Sequence, residues 1–271
     1  MMKSPLEIAE TLCEIGRGKT EVSFDRTFIL AMLAGVYIGF GAQLATTVSL
    51  DLSHKLGIGF SQLLQGAAFS VGLMLVVISR AELFTGNNLM ILSLYDGKIK
   101  LKKLLRNWAS VYSGNFVGSV ILVSIIFRGG LYEIGGNALG VRALEIANAK
   151  VSLTFVQALC RGIACNWLVC LAVLMATSAS DMTGKMFSCF FPIMTFVASG
   201  FEHSIANMYF VPMGLLLKGV DSVVSQSGVD LSNLTWQRFI LGNLIPVTIG
   251  NIIGGAFFVA TLYWYVNLYK H

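Results

Sequence analysis

The stretches ELFTGN (residues 82–87) and EHSIAN (residues 202–207) each read Glu, four residues, Asn, and each interrupts a run otherwise apolar enough to lie in a bilayer. Carboxylates and amides are costly in hydrocarbon. A helix that unwinds there frees backbone N–H and C=O groups worth several kcal/mol each if unpaired, so such breaks survive only where protein or a wet cavity surrounds them. Two breaks of the same form therefore predict two inward-facing interruptions that meet in the interior.

Each break falls in the middle of a set of three apolar runs. Crossing a bilayer takes about 20 residues, and six candidate spans occur: 28–50, 60–95 with a break, 108–127, 151–177, 186–217 with a break, and 239–266. The chain of 271 residues is 55% hydrophobic and only 12% charged, too few charges to coat a soluble core of that apolar content. The formal charge of +5 does not point to nucleic acid, because the basic residues collect between apolar runs without aromatic interleaving. They read as topology signals. An even number of spans puts both ends on one side, and that side holds 11 basic residues (among them Lys3, Lys19, Lys98, Lys185 and Lys270) against 6 on the other, which predicts cytoplasmic termini. Cys160, Cys165 and Cys170 are five apart, about 140° per step on a helix, so they share no face and suggest neither metal nor disulfide.

Spans three and six both contain Gly-Asn-x-x-Gly, at Gly114/Asn115/Gly118 and Gly250/Asn251/Gly254. Glycines alone are common where membrane helices approach closely; together with the matched breaks they read as an internal repeat. Three spans per half mean that the second half enters from the opposite face, so the halves are inverted about an axis in the membrane plane. The expected fold is an all-α integral membrane protein with six transmembrane helices in two inverted three-helix repeats, the second and fifth helices broken. The segments divide as 1–27, 28–127, 128–150 as an external connection, and 151–271. The first holds Ser4-Pro5-Leu6-Glu7, a capping box that opens an amphipathic helix running to about Gly16 and expected to lie along the membrane surface. It lacks the continuous apolar core of a cleavable signal.

At a break, half-helix N-termini present free N–H groups that favour an anion. His203 adds a group able to give and recover a proton near neutral pH. An anion sheds its hydration at large cost in an apolar constriction, whereas its conjugate acid crosses far more easily. The residues thus point to a weak-acid anion held or transiently protonated at His203.

The segments AELFTGNN, RGIACNWLVCLA and FVASGFEHSIANM, spread over nearly the whole chain at the right mutual distances, resemble the signature segments of the formate/nitrite transporter family. The resemblance implies an aquaporin-like protomer in a pentamer, each protomer with its own pore for formate, nitrite, hydrosulfide or a related anion; the C-terminal segments are closer to formate-type members. It also implies that Thr85 on the first break faces His203, that Lys150 attracts anions at the outer start of span four, and that Asn166 is a pore-lining amide. Leu73, Leu83, Val169 and Phe196, with Phe69 and Phe84 nearby, would form apolar rings on either side of the centre. Glu202 is expected to turn away and pair with backbone or neighbouring helices. Arg80 departs from the small residue usual before the first break, and for it and Arg161 a structural salt bridge is the expectation.

Two other classes fit poorly. A neutral-solute pore of the water and glycerol type would carry Asn-Pro-Ala at both breaks, and neither break contains proline. An intramembrane enzyme using His203 and Glu202 would need a nucleophile in a Gly-flanked elbow or a ligand cluster, and the sequence offers neither, nor any cofactor motif.

Overall fold

The computed structural model describes residues 3–50 and 52–269, so Lys270 of the topology argument lies outside the described residues. No strand occurs among them. Five helices are long and apolar enough to cross a membrane: Phe24–Val48, Ile58–Ser79, Leu101–Arg128, Phe155–Ser178 and Arg238–Asn267, which are the first, second, third, fourth and sixth spans. The fifth begins with Met182–Ala198, whose 17 residues rise about 26 Å, and resumes as Ser204–Leu217 after the second break. After the first break the chain continues through the short helices Phe84–Asn87 and Ile91–Tyr95.

The two halves repeat one packing scheme. The first span packs on the third and the fourth on the sixth, while the second span and Met182–Ala198 pack against each other across the centre. Glycine makes the first two contacts possible. A Cβ on Gly118 would run into the backbone carbonyl of Met32, and one on Gly254 into that of Ile163. Met32 and Ile163 are each 86 or 91 positions before their glycine, close to the same register in both halves. The repeat seen in the sequence is thus a pair of equivalent helix crossings.

The N-terminal helix is longer than expected and differently used. It spans Pro5–Glu21, opened by the reciprocal Ser4/Glu7 capping box. Its apolar face, with Ile8, Ala9, Leu12, Cys13 and Gly16, is buried against protein rather than presented to lipid headgroups. Ser93 donates to the Cys13 carbonyl at 2.9 Å, and Tyr263 donates to that of Pro5 at 3.1 Å. An amphipathic stripe looks the same whichever apolar surface covers it, and here the covering surface is the underside of the bundle. Both described ends of the chain therefore sit on one face, called here the terminal face. The connection on the far face is mostly helical, and its helix Ala138–Val151 runs up to the fourth span.

Gly118→Val and Gly254→Val are each expected to abolish assembly, because the clash is with backbone that cannot rotate away. Gly18→Ala, with nothing within 4 Å of the added carbon, should assemble normally. Size-exclusion profiles of detergent-extracted variants check the contrast.

Candidate functional site

Both breaks are held by an asparagine from the last span of their own half. At the first, Asn115 Nδ2 donates to Ala31 O (2.7 Å) and Glu82 O (2.9 Å), while its Oδ1 accepts from Phe84 N (3.0 Å). At the second, Asn251 Nδ2 donates to Gly162 O (2.8 Å) and Glu202 O (3.0 Å), and its Oδ1 accepts from Ser204 N (2.9 Å). Glu82 N donates to Leu30 O and Glu202 N to Arg161 O. Each break thus hangs its freed peptide groups on one buried amide and on the first span of its half, which is how the interrupted backbone avoids the cost of going unpaired.

The two glutamates are matched in the same way. Glu82 accepts from Lys19 Nζ (2.6 Å) and Asn87 Nδ2 (2.7 Å), and Asn87 also donates to Asn107 Oδ1 (2.8 Å). Glu202 accepts from Lys150 Nζ (3.0 Å) and Asn207 Nδ2 (2.7 Å), and Asn207 also donates to Asn243 Oδ1 (2.7 Å). Glu202 pairs with Lys150 of a neighbouring helix, yet it lines a cavity where it was expected to turn away. Lys150 is not a bare cation, since besides its ion pair it lies over the Phe210 ring, 5.1 Å from the centroid.

Sequence reasoning missed Lys19, Asn107 and Asn243, although the spacing carried them. Lys19 stands twelve positions before Ala31 and Lys150 twelve before Gly162, the two carbonyls that the break asparagines share. Asn107 and Asn243 each stand eight before Asn115 and Asn251.

Between the breaks lies a buried pair, with Thr85 Oγ1 and His203 Nε2 2.9 Å apart. His203 also caps Ser204–Leu217, its Nδ1 accepting from Ala206 N at 3.1 Å. With Nδ1 committed as an acceptor, the neutral ring carries its proton on Nε2 and presents it toward Thr85. Asn166 is wholly buried and its Nδ2 is spent on structure, donating toward Thr85 O (3.2 Å), Asn88 Oδ1 (2.8 Å) and Asn251 O (2.7 Å). It lines neither cavity described next, so its place is behind the centre, tying the first break to the sixth span.

Two cavities approach this centre from opposite faces. The far-face cavity, about 390 Å³, is lined by Lys150, Glu202 and Arg161 at its rim and by Phe69, Phe196 and His203 at its floor. The terminal-face cavity, about 680 Å³, is lined by Lys19, Glu82, Arg80 and Lys185, and ends at Leu73 and Leu83. No residue lines both, so apolar side chains separate them. Phe69 and Leu73 lie one turn apart on the second span. The Phe69 and Phe196 rings meet edge to face at 5.7 Å, and Phe196 stacks on His203 at 5.9 Å. Val169 is buried beside the centre without reaching either cavity. Phe84 points elsewhere, its ring edge-on to Tyr112 (4.9 Å) and Trp108 (5.9 Å) of the third span. Arg80 and Arg161, expected in salt bridges, make none with the described residues; both are exposed and face the cavities.

A bundle of inverted halves with opposed cavities closing on a buried polar centre defines a multi-pass membrane transport protein. The family follows from comparison with known proteins: the Formate/nitrite transporter profile matches residues 6–265, and the chain belongs to that family. It is 43% identical to the probable formate transporter of Methanothermobacter thermautotrophicus, covering 98% of this chain and 97% of that one. It is 39% identical to the formate channel FocA of Escherichia coli strain K12, over 97% of this chain and 94% of that one. Among solved structures it resembles a pentameric formate channel with formate bound, at TM-score 0.82 and 42% identity over 90% of this chain and 98% of that one. An FNT family ion channel superposes with TM-score 0.81 at 28% identity, over 96% and 98% of the two chains.

Removing one member of a buried ion pair leaves the other charge stranded. Glu202→Gln alone should therefore destabilise the protein by about 3 kcal/mol, and Lys150→Met/Glu202→Gln together by less than that single change. Thermal unfolding in detergent, followed by circular dichroism, checks the order; a double variant as weak as the sum of the two singles would show that the lysine and glutamate are not coupled.

Proposed function

We propose that this chain is a channel for a small monovalent weak-acid anion, with formate as its main substrate, and that the anion is met at His203 and Thr85 midway between two apolar seals. The observation that carries the reading is the 2.9 Å pair Thr85–His203 at the floor of the far-face cavity, which shares no lining residue with the cavity on the terminal face. Formate channels among its relatives support the choice of anion. Nitrite and hydrosulfide share the charge and approximate size, and are the competing substrates.

The steps follow from the side chains. An anion gathers at a mouth whose rim carries more positive than negative groups, then loses water as it nears the rings of Phe69 and Phe196 on one side or Leu73 and Leu83 on the other. At the centre the His203 Nε2–H and the Thr85 hydroxyl replace part of its hydration. Transient protonation there removes the charge that the apolar rings oppose. A proton on Nδ1 would face the Ala206 N–H that this atom now accepts, so the geometry suits a ring that passes a proton on rather than keeping two. Lys150 with Glu202 and Lys19 with Glu82 guard the two approaches and fix the breaks. Glu202 acts through that bracing and Asn166 by holding the Thr85 carbonyl.

The same reading puts the protein in the cell membrane as a pentamer, its terminal face in the cytoplasm by the positive-inside bias. It assigns transport and no catalysis.

Flux into liposomes with formate, nitrite and hydrosulfide in competition tests the substrate. Formate should move fastest; a chain that carries none of the three while passing glycerol would overturn the reading. His203→Asn should flatten the pH dependence of formate flux, because the variant side chain has no proton to give or recover. A correctly assembled variant with the wild-type profile would remove the proton-donor role.

A further inference from the structure

The inverted repeat pairs Arg80 with Gly200, each two positions before its break glutamate. Both have left-handed backbone, φ 57° at Arg80 and 71° at Gly200. Both also close their helix alike, with Ala81 N bonded to Val76 O and Phe201 N to Phe196 O, each at 3.0 Å. This is the helix ending that glycine serves best, because a Cβ in left-handed backbone crowds the carbonyl that follows. The second half uses glycine there. The first half keeps a long cationic residue at the one position where the fold itself asks for none.

The strain at Arg80 goes with an unbalanced charge. In the far-face cavity Lys150 is paired with Glu202 and Arg142 with Glu145, which leaves Arg161 as its one cation without an acidic partner among the described residues. In the terminal-face cavity Lys19 is paired with Glu82, while Lys3, Arg80 and Lys185 make no ion pair within 4 Å among the described residues. Of the three, Arg80 stands nearest the break in the chain, two positions before Glu82, and lines a cavity that reaches Leu83. Backbone strain of this kind persists where the side chain has a task.

We propose that Arg80 is the anion-collecting residue of the terminal-face mouth and makes this channel load small carboxylate anions from that side at lower concentration than from the other. The proposal rests on the anion-channel reading above. In a passive channel the charge cannot drive net flow, since it slows exit as much as it speeds entry. It acts on occupancy, and so on the concentration that half-saturates each mouth.

The test uses formate flux in inside-out and right-side-out membrane vesicles holding the full-length protein. For wild type, half-saturation should come at lower formate in the orientation that offers it to the terminal face. Arg80→Gly should raise that value about threefold at low ionic strength, the effect of one unit charge several ångströms away, and lose the difference in about 0.5 M salt. The value at the other face should not move. Because glycine relieves the left-handed strain, the same variant should unfold about 2 °C higher; a gain in stability with a loss in capture separates a functional arginine from a structural one. Arg80→Gln keeps the strain without the charge and should match glycine in half-saturation only, while Arg80→Lys should stay near wild type. Unchanged half-saturation in both uncharged variants overturns the proposal and leaves the channel reading intact. Absence of formate flux in the wild-type vesicles overturns both.

Discussion

A peptide group inside hydrocarbon must be hydrogen-bonded, and two places in this chain break the helices that would do it automatically. The answer at both is one buried asparagine with both its amide nitrogen and its oxygen in use. Asn115 and Asn251 each hold the carbonyl of a break glutamate, a carbonyl on the first span of their half, and an N–H just past the break. Once these are fixed the glutamates must point at their lysines, and the short helices after the breaks must start where they do. The centre of the molecule is positioned by this bracing.

Using one solution twice, upside down, brings the two breaks together from opposite faces. The centre itself departs from the symmetry. His203 corresponds to Leu83 and Thr85 to Ile205, so the polar pair is drawn from positions that are not equivalent, and one of the apolar seals is the counterpart of the histidine. The repeat supplies the frame, and the differences between its copies supply the chemistry. Arg80 opposite Gly200 is a difference of the same sort, placed at a mouth instead of at the centre.

Much of this was legible in the residues, for identifiable reasons. The breaks stood out because Glu and Asn in an oily run demand an explanation, and the paired Gly-Asn-x-x-Gly stretches revealed the inverted halves. Lys19 was read only as a topology charge, because a lysine before a span is ordinarily a membrane anchor. Its twelve-residue distance from Ala31, mirrored by Lys150 and Gly162, was the signal that went unused. Phe84 was expected to face the pathway and instead packs among the third-span aromatics, since helical periodicity gives no direction to a side chain at the point where the helix is interrupted. Asn166 is turned to structural use for a reason no single position reveals: the Thr85 and Asn251 carbonyls it serves lie 81 and 85 residues away.

The partners of each break are drawn from a single stretch of chain. The lysine, glutamate and asparagine partners of the first, from Lys19 to Asn115, have been made before the second half begins, and those of the second lie between Lys150 and Asn251, while Asn166 and His203 reach across to Thr85 afterwards. Each half can therefore close its own polar interior as it leaves the ribosome, without holding a stranded glutamate in the bilayer while it waits for the rest. The N-terminal helix is what makes this true of the first half. It brings Lys19 into the membrane protein's first act of assembly, and belongs to the repeat as fully as the spans do.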